Sequence, residues 1–342
     1  MQGSRRFTSI TAIILLVLGG MARAADNLKP IRIGIIGLDT SHVSAFTTLF
    51  NAPDAAGDLA GFRVVAAFPG GSPDIPASQT RVEGFTKDLK AKGVEIVNSI
   101  PDLLAKVDVV LLESVDGRPH LEQVKPVLAA GKPVFIDKPL AGSLADAIAI
   151  DALAAKTGTP WFSSSALRFC TDIPTMRNNP KVGEVTGCDA WGPCELEPHH
   201  PDLYWYGIHG VEILYTVMGT GCQSVTRAQT DTAEFVTGTW KDGRVGTFRG
   251  LKKGKHDYGA IVFGTKGEVQ SGGYDSYKGL VEQIGKFFRT RAAPVSHEET
   301  LEMMAFMEAA DESKREGGCP VKISDVMSKC GRASKRFPWR HP

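Results

Sequence analysis

Three groups of residues carry side chains suited to chemistry. The first is Asp137-Lys138-Pro139, which follows the short apolar run Val134-Phe-Ile136. Such a run reads as a buried parallel strand, and open α/β sheets bind their ligands at the C-terminal tips of such strands. With the next backbone torsion fixed by proline, Lys138 is a positioned cation or proton donor aimed into a cleft, or else an exposed strand-end lysine in an ordinary salt bridge. The second group is His209 with Glu212, three residues apart on one helix face. An imidazole oriented by that carboxylate can serve as general acid or base, and a structural histidine is the plainer alternative. The third is the segment Cys194 to Tyr206, which holds His199, His200 and Tyr206. Flat apolar faces beside hydrogen-bonding groups are what a sugar site needs. These histidines with His209 and Glu212 could also surround a metal, but nothing in the sequence fixes the loop relative to the helix, so no metal ligands are assigned. Arg168 and Trp191 read as lining the same cleft, or as packing between domains.

Two kinds of layer must hold these groups in place. Ile31 to Gly37 is a β-branched first strand, and Leu38 to His42 is a turn into a helix over 43–50, with Thr40 or Ser41 as its N-cap. Strands follow at 62–68, 94–97 and 108–114, then the one before Lys138. Helical stretches near 86–91, 99–104, 119–130 and 144–156 separate them. That alternation predicts a right-handed, doubly wound parallel sheet. Residues 161–169 read as a crossover strand. Beyond it, 182–191, 224–230, 235–240, 244–249 and 258–263 alternate apolar and polar residues between turns, which predicts a mostly antiparallel sheet. Helices are expected at 206–218 and 298–314. The expected class is α/β: a Rossmann-type parallel sheet over 25–145 and an α+β domain over 146–342.

At 342 residues the chain has length for two cores. Its net charge of +1 offers no electrostatic footprint for nucleic acid. Residues 1–24 read as a cleaved leader: a basic start at Arg5-Arg6, an apolar run from Ile10 to Leu18, and the small-residue site Ala22-Arg-Ala24. The run is short for a bilayer span, so the protein is expected to be exported, periplasmic or extracellular, without a stable membrane anchor. Ser4-Arg5-Arg6-Phe7 hints at a twin-arginine signal. Export permits disulfides; Cys188 and Cys194 could pair, or stay as buried thiols, and no C-x-x-C is present.

Several stretches together resemble the Gfo/Idh/MocA oxidoreductase family. They are Ile31 to Gly37, Val109-Leu-Leu-Glu-Ser114 with Pro119-His120, Ala130-Gly-Lys-Pro-Val-Phe-Ile-Asp-Lys-Pro139 and Leu167-Arg-Phe169. Val182-Gly-Glu-Val185, Gly207-Ile-His209 and Ser296-His-Glu-Glu-Thr300 complete the set. The resemblance implies a Rossmann domain for NAD(P), an antiparallel substrate domain, and oxidation or reduction of a sugar, polyol or cyclitol. A homo-oligomer is the expected assembly. By this resemblance Lys138 matches the family's lysine near substrate and nicotinamide, and His209 its catalytic histidine. The cofactor positions fall at Gly37, Asp39, Thr40, Ser41, His42, Ser114, His120 and Asp137.

Three departures stand out. The G-x-G-x-x-G loop keeps only Gly37, and Asp39 brings a carboxylate to the helix end where diphosphate should lie. No carboxylate closes the second strand to hold a ribose hydroxyl; Ser72 with Gly70 and Gly71 could instead cradle a 2′-phosphate, which favours NADP. Trp205 stands where the family carries an aspartate one turn before the histidine. The alternative function is therefore a carbohydrate-binding or non-redox carbohydrate-cleaving protein on the same fold, metal-assisted or not.

Overall fold

The computed structural model describes residues 29–335; the expected leader lies outside the described residues. Two sheets carry the fold, and the chain builds them in turn. β1 (Ile31–Ile36) leads through α1 (Ser41–Phe50) to β2 (Phe62–Phe68), and α2 (Pro76–Ala91) to β3 (Glu95–Ile96). α3 (Ile100–Leu104), β4 (Val109–Leu112), α4 (His120–Ala129), β5 (Val134–Ile136), α5 (Leu144–Thr157) and β6 (Trp161–Phe162) complete the first layer. Its strand order is β3-β2-β1-β4-β5-β6, with every pair parallel. The order reverses between β1 and β4, and that switch point opens the crevice in which such sheets bind ligands. The parallel layer ends at Phe162, beyond the boundary expected at 145, because α5 returns the chain to add β6 beside β5.

The second layer begins at β7 (Val185–Pro193). The short α6 (Asp202–Trp205) and α7 (Gly207–Met218) follow, then β8 (Cys222–Gln229), β9 (Ala233–Trp240), β10 (Val245–Leu251), β11 (Gly259–Gly264) and β12 (Gly267–Gln270). The chain closes with α8 (Lys278–Thr290), α9 (His297–Arg315), β13 (Val321–Lys322) and α10 (Ile323–Lys335). The sheet order is β12-β11-β7-β10-β9-β8-β13. β7 and β10 run parallel and the remaining pairs antiparallel. α7 and α9 cover one face.

Alternation within the strands decides which layer each core belongs to. Ile33, Ile35, Leu111 and Phe135 point to one face of the parallel sheet and meet Val43, Phe46 and Phe50 of α1. Ile36, Leu112, Val134 and Ile136 point to the other and join Val124 and Val127 of α4 with Leu144 and Ile150 of α5. The second core continues through Val211, Phe248 and Phe306 of the second layer. The cysteines are free thiols, Cys188 and Cys194 included. Among the described residues no helix is long and apolar enough to cross a membrane.

Candidate active site

The cleft between the layers, about 290 Å³, is lined from both sides. The first layer contributes Thr40, Ser41 and His42 from the start of α1, Arg81 from α2, and Lys138 from the tip of β5. The second contributes Glu195, Trp205, Tyr206, His209 and Tyr258, with Tyr277 just before α8. Lys138 is 8% exposed. Its ammonium sits 5.8 Å from the centre of the Tyr206 ring. Burial lowers its pKa from the ordinary lysine value; Asp137 opposes that shift and Arg81 adds to it.

Two histidines face this cleft, each held through Nδ1. The His42 Nδ1 lies 2.6 Å from the Asp137 carboxylate. Its ring stacks on Phe46 at 5.1 Å and meets the Tyr277 edge at 4.7 Å. Burial pushes the Asp137 carboxyl up, but the His42 ring and then Lys138 outweigh it, so the group is held below its ordinary value and is ionised. Its other oxygen accepts the Lys138 backbone N–H at 2.8 Å. His209 rests its Nδ1 2.7 Å from the Ser165 hydroxyl. That oxygen already accepts the Leu167 N–H. Desolvation first, then Lys138 and His42, push His209 well below the usual histidine range, so it is neutral.

Glu212 does not orient His209. It is buried beside the Arg168 guanidinium, accepts from the Ser164 hydroxyl at 2.9 Å and takes the Ser165 N–H at 3.3 Å. Its influence on the histidine passes through the Ser164–Ser165 turn. Arg168 also pairs with Glu299 at 2.7 Å, so this predicted substrate residue instead ties α7 to α9. Trp191 lies on β7 with its indole over Gly259. His199 is exposed and sits against Glu197. His200 is buried: its Nε2 accepts the Gly117 N–H at 3.3 Å and its Nδ1 donates to the Pro201 carbonyl at 3.2 Å. Desolvation brings its pKa down to about 4. His199, His200, His209 and Glu212 therefore do not converge as a ligand set. Tyr206 alone of the predicted substrate residues stands in the cleft beside His209.

The cofactor positions are occupied by the chain itself. Gly37 adopts φ +88°, and a Cβ there would lie 2.4 Å from the Ser114 backbone nitrogen. This glycine is retained because the ends of β1 and β4 touch, which needs no diphosphate. Asp39 is fully buried; its carboxylate accepts from the Ser78 hydroxyl at 2.7 Å and the Val115 N–H at 2.9 Å. Past the end of β2, the Ser72 hydroxyl donates to Asp116 at 2.6 Å. Arg118 forks onto Asp74 at 2.8 and 2.9 Å. Above them Ile75, Val115 and Trp205 pack together. Ser114 bonds Gln123, and His120 is held between the Ser114 and Leu140 carbonyls. Ser72 is thus engaged with Asp116 rather than open to a 2′-phosphate. Glu113, just after β4, is fully buried, and neither carboxyl oxygen is hydrogen-bonded to a described residue. Burial first, then Asp137 and Asp39, raise it well above the usual carboxylate range. A diphosphate held in the manner of a G-x-G-x-x-G loop does not fit these residues, because the buried Asp39 carboxylate already takes the hydroxyl and N–H donors at that position.

Of the residues expected from sequence, the cleft brings together Thr40, Ser41, His42, Lys138, Tyr206 and His209; Arg81, Ser165, Glu195, Tyr258 and Tyr277 line it without having been singled out. Ser165 had a signal in Ser163-Ser164-Ser165, a turn-former cluster after a strand. The tyrosines had none beyond their type.

Residues 31–164 match the model of an oxidoreductase family with an NAD-binding Rossmann fold. No curated protein sequence matches the chain. Solved structures share the two-layer fold. A probable dehydrogenase from Thermotoga maritima aligns at TM-score 0.69 and 20% identity, over 86% of this chain and 100% of its own. A putative myo-inositol dehydrogenase from Sinorhizobium meliloti aligns at 0.69 and 18%, over 86% and 99%. A scyllo-inositol dehydrogenase from Lactobacillus casei, solved with NAD(H) and scyllo-inositol, aligns at 0.69 and 16%, over 86% and 100%. At these identities the likeness is one of fold.

Proposed function

We propose that the protein, whose residues 31–164 match the Gfo/Idh/MocA oxidoreductase family model, is an exported enzyme acting on a hydroxyl- or carbonyl-bearing carbon of a sugar, polyol or cyclitol. The observation that carries this reading is the cleft in which Lys138 and His209 meet from opposite layers, walled by Tyr206, Tyr258 and Trp205. Aromatic walls bind the apolar faces of a sugar ring, and a buried ammonium with an imidazole can bind and polarise its oxygen. The inositol dehydrogenases among the structural neighbours support a cyclitol-like substrate. Export is supported by the leader pattern of residues 1–24. In the family, hydride transfer is supplied by the dinucleotide; the chain's own residues bind the substrate, orient it and move its hydroxyl proton.

A second reading, non-redox chemistry on the same substrate class, is favoured by Asp39, whose carboxylate is already satisfied at the diphosphate position. Trp205 gives the test its signal. Cyclitols, sugars and their keto forms are titrated against intrinsic fluorescence, with Lys138→Met as control. Saturable quenching in the wild type, weakened at least tenfold in the variant at unchanged melting temperature, is expected. Wild-type protein indifferent to every polyol and ketose would sink the carbohydrate assignment. Mass analysis of small molecules released on denaturing exported protein separates the two readings: stoichiometric NAD(P) establishes the first and its absence the second.

A further inference from the structure

His42 stands at the third glycine position of the dinucleotide loop, where a small residue would let the helix close on the strand. Instead its ring crosses to the tip of β5 and docks on Asp137. Stacking on Phe46 and edge contact with Tyr277 leave it one orientation. In the neutral ring, an Nδ1–H donating to the ionised carboxylate leaves Nε2 with its lone pair, on a ring that lines the cleft. His209 has the opposite polarity. His209 Nδ1 is the acceptor that the Ser165 hydroxyl proton has at 2.7 Å among the described residues, and assigning the proton there places the ring proton on Nε2. One layer thus presents an imidazole acceptor and the other an imidazole donor, with the Lys138 ammonium in the same cleft.

We propose that His42, oriented by Asp137, is a second acid–base residue of this cleft, and that the cleft enolises an α-hydroxy ketone or aldehyde of the carbohydrate class without a dinucleotide. The proposal rests on the carbohydrate reading above and deepens it. His42 Nε2 takes the proton from the carbon next to the carbonyl. The C–H pair becomes the C=C bond, and the carbonyl π pair moves onto oxygen as the enolate. Lys138 and the His209 Nε2–H stabilise that oxyanion. Return of a proton to either carbon of the enediol gives an isomer or epimer, so no oxidant, reductant or leaving group is needed.

The test is hydrogen exchange in D₂O with no added nucleotide, followed by proton NMR on two probes, D-fructose and the 2-keto form of myo-inositol. Loss of the α-proton signal above the solvent background is expected for the wild type. His42→Gln and His209→Gln should each slow it by roughly 10²-fold or more, the scale of one acid–base group. Asp137→Asn should lower the exchange rate at saturating substrate by a similar factor while leaving the midpoint of substrate quenching unchanged, because the base loses its orientation and the binding surface stays; a purely structural role for Asp137 would weaken binding as well. If His42→Gln fails to fold, His209→Gln and the split between rate and binding in Asp137→Asn carry the decision. Exchange that persists in the folded His42 variant, or that requires added NAD⁺, overturns the proposal. So does the absence of exchange with ketoses that quench Trp205, and this last result leaves the carbohydrate reading standing.

Discussion

Lys138 is buried, and its ammonium forms no hydrogen bond or ion pair with the described residues. Desolvation lowers its pKa from 10.5, Asp137 opposes the shift, and the Arg81 guanidinium adds to it. Catalysis that uses the ammonium is lost as pH rises through this lowered value, so the alkaline limb of the pH–rate profile should fall below 10.5. Arg81→Gln removes one cause of the lowering, raises the Lys138 pKa and moves the limb upward. A limb that stays put in that variant would show that another group sets it. At this scale the sequence was legible where one short stretch fixes a residue: a strand, a proline and a lysine placed Lys138 correctly. It was not legible where a partner lies far along the chain. His209 was paired with Glu212, three residues away, whereas its actual partner is Ser165. Glu212 is instead drawn off by Arg168 and the Ser164–Ser165 turn.

Among the elements, the alternating strands and helices of the first layer and the five long strands of the second follow the expected pattern closely. α8, α10 and the first ten residues of α2 do not, and in α8 and α2 glycine and proline are the reason. α2 opens on Pro76 after Pro73, which reads as loop although proline is tolerated at a first helical position. α8 contains Gly279 and Gly285, which weaken its helical signal by about 1 kcal/mol each. Those glycines serve close approach: a Cβ on Gly285 would stand 2.2 Å from the Asp58 carbonyl oxygen, a backbone atom with little freedom to move. Gly84 in α2 has open space around its Cβ position. Gly84→Ala should therefore stabilise the protein by up to about 1 kcal/mol. Gly285→Ala should destabilise it by roughly 1–3 kcal/mol through overpacking, despite the same gain in helix propensity. Urea midpoints of the two variants would decide the matter, and equal gains would refute the close-packing account of α8.

At the scale of the whole molecule the two layers are not two independent bodies. α8 lies in the second half of the sequence, yet Leu280, Val281, Ile284, Phe287 and Phe288 complete the core beneath β1 and β2. α10 packs on α5, and one contiguous core runs from Ile36 in β1 to Phe306 in α9. The first layer therefore lacks part of its own core until the C-terminal third of the chain has folded onto it, and the cleft that needs both His42 and His209 forms with that docking. Such sharing predicts one cooperative unfolding event, with calorimetric and van't Hoff enthalpies equal. Phe287→Ala, which empties part of the shared core at a cost of about 3–5 kcal/mol, should lower the melting temperature of that single event. It should also bring down ligand-induced quenching at Trp205 and far-ultraviolet ellipticity in the same transition. If the first layer were self-sufficient, the variant would instead show a second peak in which its parallel sheet melts apart from the rest, with the Trp205 signal lost separately.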